Sequence, residues 1–211
     1  MLAFDDDVRS TRLALTPVRT TAPTAKLLTL DEVKQHLRVD GPDEDDLIQR
    51  LIDEATELLD GWNGLLGSCL LTQTWRQDLS RFPNGDRIQL PLEPVSAITH
   101  VKYYDTANVQ QTLATSVYSG PFHDELGPFI SLQFGQTWPV CYTRPDAVSV
   151  TFAAGYANTA AVPEPIRKAA RMVIADAYEN RETAVVGVVA TRIPTSIDFE
   201  ALRSTIRSFW F

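Results

Sequence analysis

Two stretches near the amino-terminal end of the chain repeat apolar residues with the period of an α-helix. The first stripe consists of Leu30, Val33 and Leu37. Thr29 stands just before this stripe and Glu32 three residues later, which is the spacing of a capping box. The pattern therefore predicts a first helix that begins at Thr29 and stops at Gly41-Pro42.

A second and longer stripe predicts a second helix. It consists of Leu47, Ile48, Leu51, Ile52, Ala55, Leu58, Leu59 and Trp62. Asp43 is placed to cap this helix, because a short carboxylate accepts a hydrogen bond from a free first-turn amide. Residues 44–46 (EDD) would fill the first turn, where the helix dipole favours negative charge. Gly61 and Gly64 would end the helix.

Between residues 70 and 156 the chain changes to short runs of β-branched and aromatic residues. Turn signals such as Pro83-Asn84-Gly85-Asp86 separate these runs. The predicted strands are Thr72–Leu79, Arg87–Leu90, Ile98–Tyr104, Tyr118–Ser119, Phe129–Gln133 and Ala147–Phe152. In the last of them apolar and polar residues alternate, which predicts a strand buried on one face.

Helical periodicity returns after this β region. Pro163-Glu164-Pro165 suits a helix start, because proline is tolerated in the first turn. The stripe that follows consists of Ile166, Ala169, Ala170, Val173, Ile174, Ala177 and Tyr178. A loop precedes a fourth helical segment at 197–211, whose apolar residues include Phe199, Leu202 and Ile206.

These elements predict an α+β protein with a small helical core of about four helices and an antiparallel β domain inserted between helices two and three. Residues 1–27 have no sustained period and are predicted to be an extended N-terminal arm. The helical core would comprise residues 28–69 and 157–211. The inserted β domain would comprise residues 70–156.

Acidic residues are concentrated in one helical segment. Residues 29–62 hold eleven acidic and three basic side chains, and their balance of −8 equals the formal net charge of the whole chain. Four carboxylates of the second helix lie off its apolar stripe, namely Asp53, Glu54, Glu57 and Asp60. Two interpretations remain open: a solvated face, or a face that lines a channel or contacts a basic partner.

The end of the chain combines cations with aromatic rings. The residues concerned are Arg203, Arg207, Phe209, Trp210 and Phe211. Arginine and aromatic side chains dominate the energetics of protein interfaces. This segment would therefore dock either on the protein's own core or into another protein.

Several classes of function are disfavoured by the sequence. The three histidines have no ligand spacing, no nucleophile elbow occurs, and residues 61–68 lack the lysine of a phosphate loop. We therefore expect no catalytic residue, no metal and no cofactor. A charge of −8 argues against tight nucleic-acid binding. No apolar run is long enough to cross a membrane, and Asp5 to Asp7 occupy the place of a signal-peptide core, so we expect synthesis in a cytoplasm.

Three motifs resemble one known family. Residues 28–40 (LTLDEVKQHLRVD) followed by 43–48 (DEDDLI) are similar to the opening of head–tail connector, or adaptor, proteins of long-tailed phages, prophages and gene transfer agents. Residues 162–170 (VPEPIRKAA), leading into 178–182 (YENRE), resemble the third helix of that family. Residues 199–207 (FEALRSTIR) resemble its C-terminal segment, although the family more often has Pro-Tyr before the arginine.

The resemblance implies a structural virion component. In this family twelve copies form a ring beneath the portal, prolong the DNA channel and offer a surface to stopper or tail-terminator proteins. DNA would pass through without specific binding during genome ejection. The C-terminal residues from Arg203 to Phe211 would engage the portal, and the acidic face would line the channel. The expected location is the head–tail junction of a virion made in a bacterial host cytoplasm.

Two other functions are compatible with parts of the sequence. A glycan- or peptide-binding β module, sandwich-like and carried on a helical scaffold, would use exposed aromatic residues. The candidates are Trp75, Tyr103, Tyr104, Tyr118, Trp138 and Tyr142. A metal-dependent hydrolase would use the carboxylates at 43–46, but their spacing lacks the alternation of a calcium loop, and helix-dipole complementation explains them without metal.

Overall fold

The computed structural model describes residues 14–180 and Ala201. The described chain forms two compact units. Residues 23–71 and 156–180 belong to a helical unit, and residues 14–22 and 72–155 belong to a β unit. The two units are described separately below.

The helical unit contains three α-helices and one short 3₁₀ turn. They are α1 (Leu30–Leu37), α2 (Asp45–Leu59), the 3₁₀ turn Thr159–Ala161, and α3 (Glu164–Glu179). The predicted capping box at the start of α1 is confirmed. The Glu32 amide donates to the Thr29 hydroxyl at 3.2 Å, and the Thr29 amide donates to the Glu32 carboxylate at 2.9 Å. Apolar side chains of all three helices meet in one buried core.

The start of α2 differs from the prediction. Glu44, not Asp43, occupies the N-cap position, and no side chain caps the helix. The reason is a turn in which the Asp45 amide donates to the Pro42 carbonyl at 3.1 Å, so that the helix begins two residues beyond Asp43. Asp45 instead forms an ion pair with Lys34 at 2.6 Å.

The end of α2 corrects a second prediction. The helix ends at Leu59, and Gly61 leaves helical geometry with a φ of 79°. Such a positive φ suits glycine, which has no Cβ to clash. Trp62, which we assigned to the buried stripe, therefore leaves the helix axis and is 41% exposed. Gly64 is also required here, because a Cβ at this position would lie 2.4 Å from the Asp60 carbonyl oxygen.

The β unit contains eight strands in two antiparallel sheets. The strands are β1 (Val18–Thr21), β2 (Gln73–Leu79), β3 (Arg87–Gln89), β4 (Val95–Tyr104), β5 (Gln110–Thr112), β6 (Tyr118–Asp124), β7 (Gly127–Leu132) and β8 (Val148–Ala154). The five-stranded sheet has the order β1-β2-β8-β4-β5, and the three-stranded sheet has the order β3-β7-β6. The α+β class and the antiparallel sheets are thus as predicted.

The centre of the five-stranded sheet follows the predicted alternation. Val148, Val150 and Phe152 of β8 are fully buried, and Phe152 pairs in register with Trp75 of β2. The prediction missed β1 and β5, which form the two edges of this sheet. β1 lies within the segment that the sequence suggested was an extended arm. The predicted fourth helix, at 197–211, lies outside the described residues apart from Ala201, which is helical.

Candidate functional site

The acidic face of α2 is formed by three carboxylates, Asp53, Glu54 and Glu57. All three are exposed, whereas Ile52 and Ala55 on the opposite side of the helix are buried. Positions 53, 54 and 57 are neighbours on a helix surface, because residues three and four apart lie on the same side. The described geometry therefore presents a compact negative patch to solvent.

Asp60 is not part of this face. Its side chain is only 8% exposed, and its Oδ1 accepts a hydrogen bond from the Leu70 amide at 2.7 Å. The same region holds a parallel bridge between Asp60 and Ser68. Asp60 thus fastens the end of α2 to the segment that follows it, and it is unavailable to a channel or a partner.

Lys26 neutralises part of the acidic face. Its Nζ forms an ion pair with Asp53, and the two side chains are about half exposed, at 55% and 49%. An exposed pair of this kind contributes about 0–1 kcal/mol and is screened by salt. Glu54 and Glu57 therefore carry most of the negative potential of the face.

Two acidic residues of the helical unit, Glu32 and Glu164, pair with arginines and support the fold. Glu32 pairs with Arg167, which also meets Glu164, while Glu164 pairs with Arg171. Backbone donation from Thr29 is the main cause that holds the pKa of Glu32 below its ordinary value, and partial burial opposes it. The pKa of Glu164 is lowered chiefly by its hydrogen bond with Arg171.

The acidic run at 43–46 is also partly engaged within the helical unit. Glu44 accepts a hydrogen bond from the Tyr178 hydroxyl, and Asp45 pairs with Lys34. Within residues 14–180, no group of three histidine, cysteine, aspartate or glutamate side chains is arranged to hold a metal ion. In the same part of the chain no helix is long and apolar enough to span a membrane.

The aromatic candidates of the β unit do not form one exposed platform. Trp75 and Tyr118 are buried, each only 6% exposed. Trp138 is stacked on Phe82 with ring centroids 5.1 Å apart, and its Nε1 donates to the Gly85 carbonyl at 2.8 Å. The remaining three are Tyr103 and Tyr104, which are partly buried, and Tyr142, which is exposed. A sugar-binding row of stacked rings is therefore not supported.

Three apolar side chains of the β unit are largely exposed, which the sequence did not predict. Leu126 is 83% exposed at the turn between β6 and β7, Val140 is 76% exposed in the segment before β8, and Phe134 is fully exposed after β7. A leucine inside the turn sequence Asp124-Glu125-Leu126-Gly127 is the signal that could have identified the first. The predicted portal-binding residues, Arg203, Arg207, Phe209, Trp210 and Phe211, lie outside the described residues.

Residues 27–126, slightly less than half of the chain, match the phage gp6-like head-tail connector protein family. This part of the chain is similar to that family, the one that the sequence motifs resemble. No curated protein sequence matches the chain.

Solved structures share the fold over nearly the whole chain. A chain of the virion of a native gene transfer agent particle superposes with a TM-score of 0.69 at 24% identity, over 92% of this chain and 95% of that one. The neck of an empty gene transfer agent particle, computed with C6 symmetry, gives 0.68 at 22% identity over the same shares. The neck of the native particle, computed with C12 symmetry, gives 0.63 at 22% identity, again over 92% and 95%.

Proposed function

We propose that the protein is a structural neck component of a virion, a head–tail adaptor that forms a ring between the portal and the stopper or tail proteins. The observation that carries this proposal is the connector-family match over residues 27–126. The fold likeness to chains of gene transfer agent particles, which extends over 92% of this chain, supports the same role. The adaptor would act by geometry, without catalysis or a cofactor.

A ring of twelve copies is part of this proposal. A closed ring requires identical head-to-tail contacts whose rotation returns to the first copy. The neck of the native gene transfer agent particle was computed with C12 symmetry, which supports twelve copies here. The ring would lie at the head–tail junction of a particle assembled in a bacterial cytoplasm.

The acidic face of α2 is the proposed wall of the DNA channel. Asp53, Glu54 and Glu57 are exposed on one side of a helix whose other side is fixed in the core. Negative charge on a channel wall repels phosphate, so the genome would slide through without adhering. Asp60, buried against the Leu70 amide, is left out of this wall.

Charge reversal tests the channel wall. Asp53→Lys, Glu54→Lys and Glu57→Lys together should leave folding intact and slow DNA delivery from assembled particles, since each copy would add cations that bind phosphate. The matched control reverses Asp40, Asp43 and Glu179, three exposed carboxylates elsewhere in the helical unit. Equal DNA delivery by both variants would show that the acidic face does not line the channel.

Portal attachment is proposed for the C-terminal residues Arg203, Arg207 and Phe209 to Phe211. Guanidinium groups and aromatic rings are well suited to fill pockets on a partner. Deletion of residues 203–211 should abolish portal attachment while leaving the circular dichroism spectrum largely unchanged. Unchanged attachment would rule out this docking role.

Electron microscopy tests the proposed function as a whole. Particles, and the purified protein mixed with portal, should show a ring at the portal vertex. A protein that remains monomeric with portal and is missing from particles would refute the adaptor assignment.

A further inference from the structure

We propose that the turn between β6 and β7 is a knob that inserts into an apolar groove on the β unit of the neighbouring copy. This inference rests on the proposed ring and adds the contact that would join its subunits. The knob consists of Glu125 and Leu126. The groove is lined by Arg81, Phe82, Pro83, Trp138, Pro139 and Val140.

The knob holds the apolar side chain of Leu126 in a fixed position. Asp124 and Gly127 pair across the turn, so Glu125 and Leu126 alone form its tip. The Leu126 amide donates to Asp124 Oδ1 at 2.9 Å, and Asp124 Oδ2 accepts from Arg87 at 3.1 Å. The tip is thus fixed while Leu126 remains 83% exposed, which is a solvation cost that burial in a partner would remove.

The groove has a firm apolar floor and an open wall. Phe82 and Trp138 stack almost parallel, with an interplanar angle of 7°, and Tyr103 meets the edge of Phe82 at 5.7 Å. The Trp138 ring is held by its hydrogen bond to the Gly85 carbonyl. Val140 beside this floor is 76% exposed and has apolar surface left to cover.

Knob and groove lie at opposite ends of the three-stranded sheet. Gly127, next to the knob, begins β7, and Leu132 ends it. The Leu132 amide donates to Asp86, the neighbour of the Gly85 that holds Trp138. A strand of this length spans about 17 Å, so one copy cannot place its own knob in its own groove. Two different patches that fit each other form a head-to-tail contact, the kind that closes into a ring.

Charge complementarity supports a second copy as the occupant. Glu125 flanks the apolar tip, and Arg81 flanks the apolar groove. Both side chains are exposed, and neither forms an ion pair with another residue in the described part of the chain. Docking of Leu126 onto the groove floor would bring these opposite charges to the same rim.

Polar substitution tests the two halves separately. Leu126→Ser and Val140→Ser should each weaken subunit association about tenfold or more, because each removes apolar surface from every contact of the ring. Val109→Ser, at an exposed valine in another turn of the β unit, is the matched control and should assemble normally. Mass photometry and negative-stain microscopy, with and without portal, measure ring formation.

A mixing experiment tests the head-to-tail geometry. Leu126→Ser copies retain the groove, and Val140→Ser copies retain the knob, so an equal mixture keeps one intact contact between unlike copies. The mixture should form one-to-one dimers and no ring. Glu125→Arg or Arg81→Glu alone should also weaken the ring, and the two together in one chain should restore it.

The outcomes separate this inference from the adaptor function. Normal rings from Leu126→Ser copies would overturn the proposed subunit contact and leave the proposed adaptor function unaffected. Rings that form normally but lose only stopper or tail attachment would assign the knob to that other protein, which also overturns the inference. Absence of rings from the unmodified protein, even with portal, would overturn both.

Discussion

The two units of this protein differ in the side chains that they expose to solvent. In the helical unit several charged side chains pair with one another, while the acidic face of α2 remains exposed. In the β unit the side chains that stand out are exposed apolar ones, namely Leu126, Phe134 and Val140. Repulsion of phosphate needs exposed charge, whereas stable subunit contacts need apolar surface to cover. The proposed channel wall would therefore rely on exposed charge, and the proposed subunit contact on exposed apolar surface.

Removal of a central side chain from the β unit is the largest expected perturbation. Phe152→Ala should destabilise the protein by about 3–5 kcal/mol, because it deletes a fully buried ring from the middle strand of the five-stranded sheet. Hydrogen exchange measured along the chain should show the loss of protection in strands β2, β4 and β8. Equal loss of protection in α1 to α3 would contradict the division into two units.

A comparison of substitutions at Asp60 and Glu57 tests whether a buried carboxylate at the end of α2 contributes more to stability than an exposed one. Asp60→Ala should cost about 1–3 kcal/mol, because the Leu70 amide loses its buried acceptor. Glu57→Ala, the control, should change the free energy of unfolding by no more than about 0.5 kcal/mol. Urea denaturation measures both, and similar costs would mean that Asp60 is solvated like its neighbours.

The capping box makes the helical unit sensitive to acid. The lowered pKa of Glu32 has its main cause in the Thr29 amide, with Arg167 and Arg171 adding to it. A lowered pKa stabilises the folded state above the ordinary value of 4.5, and this stability is lost as the pH falls through the folded value. The stability gap between the unmodified protein and Glu32→Gln should therefore shrink on acidification. A gap that is constant from pH 7 to pH 3 would contradict the assignment.

Helices were the most predictable part of the fold, because their period reports burial directly. The capping box of Thr29 and Glu32 is predicted correctly, since both of its partners lie within one turn. The prediction that Asp43 caps α2 is wrong, because the turn at Pro42 decides which member of the acidic run starts the helix. The prediction that Trp62 belongs to the buried stripe is wrong, because the end of α2 is fixed by a hydrogen bond between Asp60 and Leu70, ten residues apart.

Edge strands and surface sites were much less predictable. All residues of β1 and β5 are exposed, so these strands have no alternation to reveal them. Of the four acidic candidates, three lie on one exposed face, and only the tertiary contact to Leu70 removes Asp60 from it. Leu126 and Val140 were missed, because exposure of a single apolar residue depends on the packing of the whole unit.

The smallest expected effect concerns the ion pair at the border of the acidic face. Lys26→Met should lower stability by only about 0.2–1 kcal/mol, because Lys26 and Asp53 are both about half exposed and water already solvates them. The same change unmasks the Asp53 carboxylate, so it should strengthen the negative potential of the face while hardly affecting the fold. Thermal melts at low and at 1 M salt measure the first effect, and the difference from the unmodified protein should vanish at high salt. A loss above about 2 kcal/mol, or one that persists at 1 M salt, would show that Lys26 supports the core and does not merely balance charge at the surface.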